Sequence, residues 1–66
     1  MKDLQDFVNG FGFGISVKEL ASRAYFKMEL LGHDVCVLNE RYLIVDGVTY
    51  YFSKSRKQGG WVVKAV

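Results

Sequence analysis

Gly32 divides the chain into two hydrophobic periods, and that change limits the folds open to it. Before Gly32, Val17, Leu20, Ala21, Ala24, Met28 and Leu31 recur at the spacing of one face of an α-helix. After it, apolar and polar residues alternate, as they do in strands with one buried face. A helix followed by a run of strands predicts a two-layer α+β domain, with a helical layer packed on an antiparallel meander of three or four strands. Sixty-six residues make one domain, spanning 1–66.

The long helix is expected from about Val17 to Leu31. Ser16 is a good N-cap, and Glu19 three residues on completes a capping box, in which each side chain satisfies a backbone N–H of the first turn. Ile15 and Leu20 flank it at hydrophobic-staple spacing. Gly32 supplies the left-handed residue that ends many helices, and His33 follows where a protonated imidazole suits the negative end of the helix dipole. Phe26 and Leu30 fall outside the core stripe, on the opposite side among Glu19 and Arg23. The N-terminal segment is the expected cover: Leu4, Phe7 and Val8 recur at i, i+3, i+4 and predict a short first helix ending at Gly10.

Beyond Gly32 the alternation predicts strands at about 34–39, 41–46, 48–54 and 60–66. Asp46-Gly47 between apolar alternations is the chain's strongest hairpin signal and predicts a two-residue type I′ turn. That turn sets the register: Val45 faces Val48, Leu43 faces Tyr50 and Arg41 faces Phe52, while on the other side Ile44 faces Thr49 and Tyr42 faces Tyr51. The first set is the more apolar and is assigned to the core. Trp61 and Val63 follow it inward, and Lys64 points out.

With one cysteine, Cys36, no intrachain disulfide can form, and one Cys with one His cannot make a structural zinc site. Stability must come from apolar packing, with a partner or a second copy of the chain available to complete it. Half of the residues are apolar, which fits a folded domain. No stretch approaches the roughly 18 apolar residues of a membrane span. Cys36 sits between Val35 and Val37 in a predicted strand, where a free cysteine is expected to be buried, and a free thiol points to the cytoplasm. No cofactor is implied.

The stretch Asn9–Ser16, NGFGFGIS, resembles the signature octamer of the RNA recognition motif, whose alternating aromatics stack on bases. Asn9 stands where that family has a basic residue, and Gly14 where it has a branched aliphatic one. That fold also needs a strand, a helix and a strand ahead of the signature, and only eight residues precede Asn9. Read as a phosphate loop, the stretch lacks a preceding strand and the GK[ST] ending. It is therefore read as a turn into the helix, with Phe11 and Phe13 packing down. Cys36 and His33 are the one nucleophile–base pairing on offer, three residues apart with nothing to orient them, so no enzymatic activity is expected.

Charge is unevenly spread. Residues 41–66 carry Arg41, Lys54, Arg56, Lys57 and Lys64 against Asp46 alone. Tyr42, Tyr51 and Lys64 are expected on the outer sheet face, with Lys54, Arg56 and Lys57 in the basic stretch SKSRKQGG at one end. Two binding roles follow. The first is a non-enzymatic protein-binding module, of the kind found among small phage or mobile-element proteins that modulate a host protein. It would use this basic face or the apolar helix patch at Phe26 and Leu30. The alternative is a nucleic-acid-binding protein in which tyrosines stack on bases and basic side chains neutralise phosphates.

Overall fold

A computed structural model describes residues 2–66. Two helices lie on one face of a four-stranded antiparallel sheet: α1 (Lys2–Asn9), α2 (Val17–Leu30), β1 (Val35–Asn39), β2 (Tyr42–Val45), β3 (Val48–Ser55) and β4 (Gly60–Ala65). The strands follow chain order across the sheet, β1-β2-β3-β4, so each turn is a hairpin and β1 and β4 are the edges.

Each element follows from local chemistry. The Ser16 hydroxyl accepts from the Glu19 N–H at 3.2 Å and starts α2. The return half of the capping box is absent, because the Glu19 carboxylate accepts from Arg23 at 3.0 Å instead. Gly32, at φ +91°, closes α2: its N–H donates to Glu29 and the His33 N–H to Met28, the two bonds of a Schellman ending. The helix is therefore 14 residues long, and Leu31 is its exposed cap residue.

Asp46 and Gly47 both have positive φ, 51° and 82°, as a type I′ turn requires. The resulting register pairs Val45 with Val48, Leu43 with Tyr50, Ile44 with Thr49 and Tyr42 with Tyr51. Strand β2 begins at Tyr42, so Arg41 lies in the preceding turn, exposed, and keeps its place opposite Phe52 through its carbonyl, which accepts the Phe52 N–H.

Leu20, Ala21, Ala24 and Met28 of α2 and Leu4 and Val8 of α1 are buried against Leu43, Val45, Tyr50, Phe52 and Trp61. The first helix does not lie over Phe26 and Leu30. It packs on β4 and on the opposite flank of α2, where Phe7 meets Phe11 edge-on at 5.2 Å. The expected cover is thus missing. Cys36 is also exposed rather than buried: both helices lie on the other face of the sheet, and β1 is an edge.

Candidate interaction surfaces

The clearest surface is the flank formed by α2 and β1. Phe26 is 63% and Leu30 81% exposed on the helix, and Val37 and Leu38 are 59% and 58% exposed on the strand. Between them runs an open groove of about 370 Å³, lined by Lys18, Ala21, Ser22, Tyr25 and Phe26 on one side and Val37, Asn39 and Glu40 on the other. Tyr25 and Phe26 pack edge-on at 5.3 Å, and the Tyr25 hydroxyl donates to Glu29 at 3.3 Å. The negative charge of Glu29, together with that bond, raises the Tyr25 pKa above its ordinary value.

Strand β1 presents open backbone groups on this flank. The Asp46 N–H donates to the Asp34 carbonyl at 2.7 Å, which makes 34 and 46 a hydrogen-bonded pair. Two residues along, Cys36 and Ile44 are the next such pair. Val35 and Val37 therefore turn their N–H and C=O groups away from β2, toward the groove side of the molecule. The other edge is closed: the β4 residue Val63 donates its N–H to Gln5 Oε1 of α1 at 3.1 Å.

The second surface is the uncovered sheet face. Tyr42 and Tyr51 lie side by side with ring centroids 5.1 Å apart, and Lys64 is paired with Tyr51 on the next strand. Lys54 does not join them. It shares the inward face with Tyr50 and Phe52, and its ammonium stands 5.5 Å from the Trp61 ring and 5.8 Å from that of Phe13. That parity was present in the sequence, where Lys54 lies two residues from Phe52. Arg56 and Lys57 occupy the exposed β3–β4 turn beyond Ser55, which itself lies about 13 Å along the strand from Tyr51.

A third cluster surrounds His33, which the sequence marked only as a helix end. Its Nδ1 meets Asp46 Oδ2 at 2.7 Å and its Nε2 meets Asp3 Oδ2 at 3.3 Å, while the Asp34 N–H donates to Asp46 Oδ1 at 3.0 Å. One ring thus ties α1, the end of α2 and the β2–β3 turn together. The bond to Asp46, then that to Asp3, raises the His33 pKa above its ordinary 6.5. The Asp34 N–H, then His33, lowers that of Asp46 below 3.8. Both ring nitrogens are engaged by carboxylates, so neither is directed at Cys36. Among the described residues no three His, Cys, Asp or Glu side chains are placed to hold a metal ion. No described helix is long and apolar enough to cross a membrane.

No protein-family model, curated protein or solved structure matches this chain.

Proposed function

We propose that this chain is a non-enzymatic protein-binding module whose docking surface is the α2–β1 flank. The observation that carries the reading is the exposure of Phe26 and Leu30 beside an edge strand with open hydrogen-bonding groups. Large apolar side chains gathered in one patch mark interaction sites. An unpaired edge adds a second mode of attachment, because a partner strand can extend the sheet while its side chains fill the groove. The test compares the immobilised chain with its Phe26→Ser/Leu30→Ser variant, both shown to be folded by far-ultraviolet dichroism. Protein captured by the parent and lost by the variant supports the reading. Equal capture by both, or a variant that does not fold, contradicts it.

A second reading rests on the Tyr42–Tyr51–Lys64 row, which offers two stacking rings and a cation on an uncovered sheet. Single-stranded nucleic acid suits such a face, since stacking tolerates any base and the cation meets phosphate. Arg56 and Lys57 would extend the electrostatic track along β3.

A further inference from the structure

We propose that the occupant of the α2–β1 flank is a second copy of this chain, joined by antiparallel β1–β1 pairing into one eight-stranded sheet. This rests on the protein-docking reading above and names the partner.

The two edges of the sheet are treated differently. At β4, Gln5 takes up the Val63 N–H and α1 packs alongside. At β1 the sequence is Val35-Cys36-Val37-Leu38-Asn39, with no charge and no proline to discourage pairing, and the strand's one irregularity, between Val37 and Asn39, lies beyond the regular stretch Val35–Val37. Edges that stay free normally carry such devices, because any second copy is an ever-present pairing partner. Exposed apolar side chains line the same flank. Of the eight large apolar side chains exposed among the described residues, Phe26 and Val37 face each other across the groove, and Leu38 follows Val37 on β1.

A twofold axis beside Cys36 satisfies the open backbone. Val35 of each copy then lies opposite Val37 of the other, and their outward N–H and C=O groups exchange four hydrogen bonds. The helices fit the same axis. Strands lie about 4.8 Å apart, and α2 packs over both β1 and β2. A helix seated there stands about 5 Å from the axis and about 10 Å from its copy, the ordinary separation of packed helices. The groove sets the Lys18 end of α2 beside Asn39 and Glu40, so α2 runs antiparallel to β1. The copied helix therefore runs antiparallel to the original, with Lys18 of each turned toward Glu29 of the other. A stable interface covers about 800 Å² per partner, roughly a fifth of the 4221 Å² surface. One flank of a molecule this small is an area of that order.

Sedimentation equilibrium of the 66-residue chain at about 100 µM is the test, a concentration that populates any dimer of micromolar affinity. The expected mass is twice 7.5 kDa. Val37→Lys places a charge on an exposed position of the edge without touching the core, and it is expected to return the mass to that of one chain with an unchanged dichroism spectrum. Cys36 reports the register. In the dimer the two Cys36 residues face each other at a non-hydrogen-bonded position, with Cα atoms about 4.5 Å apart, within disulfide reach. Diamide should therefore join them rapidly: the two thiols lose two protons and two electrons to it as it becomes its hydrazine. Val37→Lys should slow that reaction, although Cys36 stays exposed. A single-chain mass at this concentration overturns the proposal. If Phe26→Ser/Leu30→Ser still abolishes capture of another protein, the docking surface stands with a different occupant. If it does not, both readings fall.

Discussion

Val63 of β4 donates its backbone N–H to the side-chain carbonyl of Gln5, 58 residues away, at 3.1 Å. Together with the packing of α1 on β4, this bond covers that edge of the sheet, and the β1 edge is the one left open. Replacing Gln5 by Ala leaves a half-buried N–H without a partner, a loss of about 1 kcal/mol. Urea unfolding measures it. A variant as stable as the parent would show that α1 covers β4 by packing alone.

The His33 cluster makes stability depend on pH in both directions. His33 has a raised pKa, so its contribution is complete below 6.5 and is lost as pH rises through the folded value above that. Asp46 has a lowered pKa, so its contribution is present above 3.8 and is lost as pH falls through the folded value below it. The melting temperature should be higher at about pH 5 than at about pH 8, and His33→Gln should reduce that difference. An undiminished difference in the variant would assign the pH dependence to other groups.

Gly60 is required by close approach. A Cβ built there would lie 2.5 Å from the Phe11 carbonyl oxygen, where β4 starts beneath the 10–12 turn. Gly60→Ala should cost about 1–3 kcal/mol, the range for forcing extra volume into a packed site. Gly12→Ala meets nothing within 4 Å and should stay within about 0.5 kcal/mol of the parent. Equal effects at the two positions would contradict the placement of the turn over β4.

The nucleic-acid reading has its own measurement, fluorescence anisotropy with random single- and double-stranded oligonucleotides at low and high salt. If the tyrosine row binds, affinity falls with salt, and Tyr51→Ala weakens it by about 1–3 kcal/mol, the value of one stacked base. Charge reversal at Arg56 and Lys57 should lower both the affinity and the salt dependence. No salt-sensitive binding to any oligonucleotide would dismiss this reading.

Much of the scaffold was legible in the sequence because it is specified locally. Ser16 and Gly32 bound α2 through bonds that reach three to five residues, and Asp46-Gly47 determines the register of β2 and β3 through a single turn. What was not legible depends on where elements lie relative to one another. The spacing of Phe26 and Leu30 shows that they share a helix face, but not that α1 turns to β4 and leaves them bare. Alternation around Cys36 shows a strand, but not that the strand is an edge with one face uncovered. The bonds of the His33–Asp3–Asp46 cluster reach 13 and 30 residues along the chain, and it had no local sign beyond a histidine after a helix end.

Amide hydrogen exchange at Val35 and Val37 tests the docking of β1 most directly, read residue by residue at about 1 mM and again at about 10 µM protein. These two N–H groups point away from β2, so only a strand added to the β1 edge can protect them in the way Ile44 protects the Cys36 amide. The predicted result is protection at the higher concentration that fades on dilution, with Cys36 unchanged. Exchange at Val35 and Val37 as fast as at Gly12 and Gly14 at both concentrations would contradict it.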